Sequence, residues 1–499
     1  MQLRSGMKKY TLELTVFLSG AVVMMLELTG SRILAPFVGT STFIWTSLIG
    51  VILASLSFGY YVGGIKADQD PSQKRLSTIL FIAGVTIGLA ALLNQTLLSF
   101  LSYRILSVKL LALVSSVILF GLPAFYLGMV SPQAVRIRMS DIQTSGATIG
   151  RLYALSSLGS IIGTFAVGFY LMAWIGSRNI IFLLSCLTLI LSLLNRRNSE
   201  VIVAFAVFAL SPFIPSFGKN KLISVEDTEY NAVQVLNDKD PKGNTIQVMK
   251  VGNEYSSGMF LDSDSLVFQY SPYYKLMFYF HPSPKKTLMI GGGAYSVPKY
   301  FQKIYPNIKM DVVEIDPGLT NIAQRDFKFN PDESVKPIHA DGRIFINQNK
   351  TKYDVILGDA YRSLFSIPFH LVSKEAMIKM NDCLNENGVL IINILGAMEG
   401  KNAELFYSFV KTCQSVYPEV RAFKPYKESK MTDLQNIMIV CRKKKDSFTP
   451  SVLSYQMQEM ISHEIDVTKI GQNDGFVLTD DFAPVEHFAD EMLSSYFSK

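Results

Sequence analysis

The sequence predicts an α-helical, polytopic membrane domain followed by an α/β domain made of a small antiparallel β-sheet and a Rossmann-like, doubly wound sheet. Three observations carry this. First, apolarity and positive charge gather in one half. Residues 1–220 hold 16 Lys and Arg against 6 Asp and Glu, and the rest hold 31 against 35. Over the whole chain only 18% of residues are charged, where soluble proteins average about 25%. Second, residues 221–270 alternate apolar and polar side chains between turn residues. Third, from residue 285 strand-like apolar runs alternate with helical stretches, the signature of crossover connections and a parallel sheet.

In chain order, a membrane helix needs about 20 mostly apolar residues. Candidate spans are 11–30, 42–64, 77–101, 108–130, 147–172, 178–194 and 200–217. Their glycines, such as Gly59, Gly63 and Gly64 or Gly159, Gly163 and Gly168, suit close helix packing in lipid. The seventh ends in Ser211-Pro212-Phe213-Ile214-Pro215 and is marginal, so the count is six or seven. The first runs into further helices and lacks a small-residue cleavage site, unlike a signal peptide. Glu27 and Arg32 lie toward its end, either as an ion pair that fixes packing or as the wall of a polar pocket.

Loops on the N-terminal side carry eleven basic residues and the opposite loops four, which puts the N-terminus in the cytoplasm. Six spans then keep the second half in the cytoplasm and seven place it outside. Four cysteines exclude a disulfide scaffold. Five scattered histidines, without CxxC or HExxH, argue against a metal site. The expected organisation is therefore 1–218 transmembrane, 219–284 small β-sheet and 285–499 nucleoside-binding, with no nucleic-acid partner.

Expected strands in the last region are Thr287–Ile290, Met310–Ile315, Val335–His339, Tyr353–Leu357, Val389–Ile394 and Asn436–Val440. Four signals stand at four successive strand ends, where ligands bind in such sheets. Gly291-Gly292-Gly293 allows backbone approach to a ligand. Glu314 follows about 20 residues later, placed for ribose hydroxyls. Asp341-Gly342 suits an adenine amino group, and Asp359 ends the fourth strand.

At these residues the stretch from about 225 to 400 resembles the spermidine synthase (polyamine aminopropyltransferase) family. It looks closest to a membrane-fused bacterial branch, whose signatures are similar to Glu27–Pro36, Arg151-Leu152-Tyr153-Ala154 and the tail Leu478-Thr479-Asp480-Asp481-Phe482-Ala483-Pro484-Val485-Glu486. The resemblance implies a methyltransferase-type sheet and decarboxylated S-adenosylmethionine as cosubstrate, with no covalent cofactor and no metal. It implies that Gly291, Gly293, Glu314, Asp341, Gly342 and Gln269 hold the nucleoside. It implies that Asp359 is the general base toward an amine, and that Tyr273, Tyr274, Tyr361 and Arg362 line the acceptor pocket.

Four positions depart from the family. Ala294 and Arg362 stand where it has Asp, Lys275 where it has Glu, and Asn231 where it has Gln. Three negative charges are lost and two positive ones gained, so putrescine is expected to be a poor acceptor. The expectation is a membrane-bound, aminopropyltransferase-like transferase, multi-pass in the cell membrane with a cytoplasmic catalytic domain. Its partners are a small-molecule amine or other acceptor and the lipid bilayer, and a homodimer is allowed. A methyltransferase or lyase using intact S-adenosylmethionine is the alternative, or a transporter or sensor gated by the nucleoside domain.

Overall fold

The computed structural model describes residues 2–38, 42–105, 107–139, 145–195, 199–210, 222–252, 254–281, 283–360, 368–445, 453–469, 475–485 and 487–488. The chain divides into two compact units, Met1–Gly218 and Lys219–Lys499. Among the described residues of the first, six helical segments are long and apolar enough to cross a membrane: Tyr10–Val38, Phe43–Gln69, Gln73–Ser102, Lys109–Arg138, Ser145–Leu171 and Trp174–Asn195.

The first three are carried by α1 (Gln2–Val38), α2 (Thr42–Gln69) and α3 (Gln73–Arg104). The fourth is α4 (Val108–Ser116), a π turn at Val117–Gly121, α5 (Leu122–Gly128) and α6 (Val130–Arg138). Pro123 cannot donate to the preceding turn, and the π turn falls where that bond is lost. The last two are α7 (Ser145–Ala166) with its own π turn at Val167–Leu171, and α8 (Met172–Asn195). Gly176, at φ +72°, breaks α8 near its start and lets the chain reverse.

Backbones meet where side chains vanish. A methyl on Gly159 of α7 would lie 1.8 Å from the Phe17 carbonyl oxygen of α1, and one on Gly59 of α2 2.2 Å from that of Phe125 in α5. Polar bonds add to this packing. Ser185 Oγ donates to the Gly84 carbonyl at 2.7 Å, Asn195 Nδ2 donates to Thr15 Oγ1 at 3.0 Å, and Arg138 pairs with the buried Glu13 at 3.1 Å. The seventh expected span is only partly described. Its helix, α9 (Ser199–Leu210), has twelve residues, and residues 211–217 lie outside the described set. Phe208 of α9 packs on Gly88, the midpoint of α3.

The second unit opens with a meander: β1 (Leu222–Asp227), β2 (Ala232–Lys239), β3 (Thr245–Val251) and β4 (Glu254–Phe260), paired antiparallel in that order. Asp240 Oδ1 accepts from the amides of Lys242 and Asn244, and Gly243 at φ +87° completes the turn. A 3₁₀ turn at Ser271–Leu276 and α10 (Met277–Phe280) lead to the large sheet.

That sheet alternates β5 (Lys286–Ile290), α11 (Ser296–Ile304), β6 (Lys309–Glu314), α12 (Pro317–Asp326), β7 (Val335–His339), α13 (Gly342–Gln348) and β8 (Tyr353–Gly358). It continues with α14 (Phe369–Val372), α15 (Lys374–Cys383), β9 (Leu384–Gly396), α16 (Glu404–Gln414), β10 (Glu419–Phe423), β11 (Gln435–Arg442), α17 (Tyr455–Ser462) and β12 (Glu464–Ile465). Spatial order is β12-β10-β11-β9-β8-β5-β6-β7. Successive side chains of β5 feed opposite cores, Leu288 and Ile290 one and Met289 the other, so its run Leu288–Ile290 is apolar without alternation.

Strands β5 to β9 are parallel, as expected. The last expected strand, inside β11, is not. It runs antiparallel between β9 and β10. Residues 424–434, which join β10 to β11, are fewer than the dozen or so a parallel crossover needs. The sheet thus has the methyltransferase type of order, with an inserted antiparallel strand rather than an all-parallel edge.

Candidate active site

The glycine turn is built by backbone constraint. Gly291 sits at φ +93°, and a methyl there would lie 2.4 Å from the Asp359 carbonyl oxygen. Two bonds fix the turn to its neighbours: Gly291 N donates to the Val313 carbonyl and Asp359 N to that of Ile290, each at 2.8 Å. Gly293 also has positive φ, +53°, and so does Tyr295, which lacks glycine's freedom. Tyr295 is held by burial, by a 2.9 Å bond to Thr320 Oγ1 and by stacking on Phe329.

Glu314 ends β6 buried beneath this turn. Its Oε2 accepts from Gly292 N at 2.8 Å and Gly293 N at 3.0 Å, and its Oε1 from Asp316 N at 3.0 Å. Burial pushes its carboxyl up, and the three amides pull it down. Each carboxylate oxygen accepts two bonds, so Oε1 keeps one direction for a ligand hydroxyl. Asp341 caps α13, its Oδ1 accepting from Ile344 N at 3.0 Å, while its Oδ2 lies 4.0 Å from His370 Nε2. Gly342 packs on β5, where a methyl would lie 2.8 Å from Ile290 Cγ2.

Asp359 follows β8. Its Oδ1 accepts from Asn393 Nδ2 at 2.9 Å and its Oδ2 from the Tyr270 hydroxyl at 3.2 Å. The Tyr274 hydroxyl, which has one proton to give, donates to the Gly358 carbonyl at 3.2 Å and has Asp359 within reach as its other acceptor. Desolvation raises the Asp359 carboxyl above its ordinary value of 3.8, against the pull of these donors. A second row stands behind. Asn393 Oδ1 accepts from Asn436 Nδ2 at 3.1 Å, and Asn436 Oδ1 from the Tyr426 hydroxyl at 3.1 Å. The side chains in this chain, other than Asp359 itself, are uncharged.

The structure thus gathers Gly291, Gly293, Glu314 and Asp359 around one turn, with Asp341 and Gly342 at the end of β7. Tyr274 reaches Asp359, but Tyr273 does not. Its hydroxyl meets His463 Nδ1 at 2.6 Å, and burial with the nearby Glu459 pushes it up to about 12. Gln269 is exposed, beside the stacked rings of Phe268 and Tyr270. Tyr361 and Arg362 lie outside the described residues.

The departing residues are also placed. Ala294 is fully buried, its amide bonded to Ser257 Oγ at 2.9 Å. Lys275 lies over the Tyr300 ring at 4.9 Å, and Asn231 donates to Asp316 Oδ2 at 2.8 Å. Neither of these contacts is to Asp359. A cleft of about 670 Å³, lined by Lys424, Tyr455, Glu459 and His463 among others, shares His463 with Tyr273.

Tyr270, Asn393, Asn436 and Tyr426 were not singled out by sequence reasoning. The one available signal was Asn393, an amide inside the apolar run Ile391–Ile394.

Comparison with known proteins bears on the second unit. A family described as "Spermine/spermidine synthase domain" matches residues 274–447. A polyamine aminopropyltransferase of Vibrio vulnificus is 30% identical over 240 residues, which is 46% of this chain and 77% of the relative. A probable polyamine aminopropyl transferase of Bifidobacterium longum is 26% identical over 232 residues, 42% of this chain and 50% of the relative. The crystal structure of a probable spermidine synthase from Corynebacterium glutamicum superposes with a TM-score of 0.44 at 18% identity, covering 52% of this chain and 97% of that one.

Proposed function

The chain belongs to the polyamine aminopropyltransferase family of transferases, and from that premise we propose that it is a membrane-bound, aminopropyltransferase-like enzyme with Asp359 as general base. The observation that carries this is the carboxylate of Asp359, held by Asn393, Tyr270 and Tyr274 beside the backbone of Gly291. The cosubstrate is a decarboxylated S-adenosylmethionine-type sulfonium. Gly291, Gly293, Glu314, Asp341 and Gly342 hold its nucleoside.

The acceptor's neutral amine attacks the aminopropyl carbon bonded to sulfur. The new C–N bond forms as the C–S bond breaks, and the bonding pair leaves with sulfur as methylthioadenosine. The proton released from nitrogen goes to Asp359. A fixed carboxylate orients the amine and takes that proton at no cost in reorganisation. The sulfonium is its own leaving group.

The acceptor end differs from one built for a diamine. The groups that touch Asp359 are phenols and an amide, with no second carboxylate among them. Putrescine is a poor acceptor on this reading. Membrane attachment rests on the six apolar helices, and the positive-inside bias with six spans puts the catalytic unit in the cytoplasm, where adenosylmethionine compounds are made.

The test is release of methylthioadenosine by the purified full chain from decarboxylated S-adenosylmethionine, across a panel of amines. Amine-dependent release that vanishes in Asp359→Asn supports the reading, and no release with any amine sinks it. Ala294 favours one alternative, because without a carboxylate there the site loses a preference for the decarboxylated donor. Methyl transfer from intact S-adenosylmethionine would establish that alternative.

A further inference from the structure

The tail signature from Leu478 to Asp481 has no part in the chemistry above, yet it is tied to the nucleoside end of the site. Gly475, at φ +68°, lies against the backbone of Ser408. Phe476 N donates to Ser408 Oγ at 3.2 Å and Leu478 N to Thr412 Oγ1 at 2.8 Å, so the tail runs along α16. The Leu478 carbonyl then accepts from Lys374 N at 2.8 Å, at the start of α15. Leu478, Val485 and Phe488 are buried in the core.

Between these anchors Asp480 makes three bonds. Its amide donates to Glu375 Oε2 at 2.9 Å. Its Oδ1 accepts from Ser373 Oγ at 2.5 Å and its Oδ2 from Arg343 Nη2 at 2.6 Å. Arg343 immediately follows Asp341-Gly342, and its Nη1 donates to the His370 carbonyl at 3.0 Å and to Ser373 Oγ at 3.2 Å. His370 is in turn the neighbour of Asp341, at 4.0 Å. One tail carboxylate therefore ties α13, which Asp341 caps, to residues 368–373. Burial of Leu478, Val485 and Phe488 would hold the tail without this charged link. The link adds a fixed distance between two walls beside Asp341.

We propose that the tail is a strap that sets the nucleoside end of the site, with Asp480 as a positioning residue acting through Arg343; this rests on the reading that Asp341 and Gly342 contact the nucleoside. The experiment is calorimetric binding of methylthioadenosine to the purified full chain, with turnover and melting measured alongside. Asp480→Asn keeps the shape and removes the charge. It is expected to weaken binding and raise the donor KM about ten-fold, a coupling typical of residues in one network. Saturated kcat and the melting temperature stay close to wild type. Asp480→Glu recovers affinity, and Arg343→Lys combined with Asp480→Asn costs no more than either alone.

Wild-type affinity in Asp480→Asn overturns the strap. So does a parallel fall in affinity, kcat and melting temperature, which marks a general structural loss. Failure of the wild-type chain to bind methylthioadenosine overturns the reading of the site itself and the strap with it.

Discussion

Asp359 is held between two opposed effects. Burial disfavours its charge, and donors from Asn393, Tyr270 and Tyr274 favour it, with burial prevailing. A carboxyl raised on folding opposes stability above its folded pKa, and this opposition disappears as pH falls below the unfolded value. Asp359→Asn is therefore expected to raise the melting temperature at neutral pH, with the gain fading in strong acid; denaturation at both pH values checks this. The substituted amide can face the Tyr270 hydroxyl, which can accept as well as donate. Turnover in the same variant should fall by about 10²–10⁴-fold, the usual worth of a positioned base. In the wild type, the acid limb of kcat/KM should lie above pH 3.8. Asp359, Glu314 and Asp341 were legible in the sequence because each stands at the end of an expected strand. Tyr270 and Asn393 were not, because they meet Asp359 across 89 and 34 residues, and no local pattern records such a contact.

Among the elements, the glycine turn tolerates least. Gly291→Ala forces a side chain into positive φ and onto the Asp359 carbonyl. Left-handed backbone alone costs roughly 1–2 kcal/mol, so urea unfolding should show at least that loss, with methylthioadenosine binding abolished. In the first unit, Gly159→Leu should separate α1 from α7, read as loss of a monodisperse full chain in detergent. Strands β5 to β8 and the six long apolar helices could be read ahead of the structure, since each is an apolar run with its own stops. The direction of β11 could not. Its sequence is apolar in either direction, and only the short connection from β10 decides. The same reversal brings Asn436, near the start of β11, beside Asn393 near the end of β9.

At the scale of the molecule, two units of opposite character share one chain, one basic and apolar, the other mildly acidic. The charge bias was legible from composition alone, but the number of spans was not, because the last apolar stretch is both short and proline-flanked. Among the described residues, that stretch holds the twelve residues of α9, where a full crossing needs about 20, and residues 211–217 lie outside them. On the six-span reading, a reporter fused after Lys499 that is active only in the cytoplasm should report activity, and one active only outside should be silent. Insertion of β11 between β9 and β10 has a further consequence, in time rather than space. The ribosome makes β10 before the strand that joins it to the sheet, and Asp480 comes later still. A nascent chain thus carries an unfinished sheet edge until β11 is made. The contact of Asp480 with Arg343 beside Asp341 forms later still. A ribosome that stalls between β10 and β11 would leave a chain whose sheet still exposes the open edge of β9.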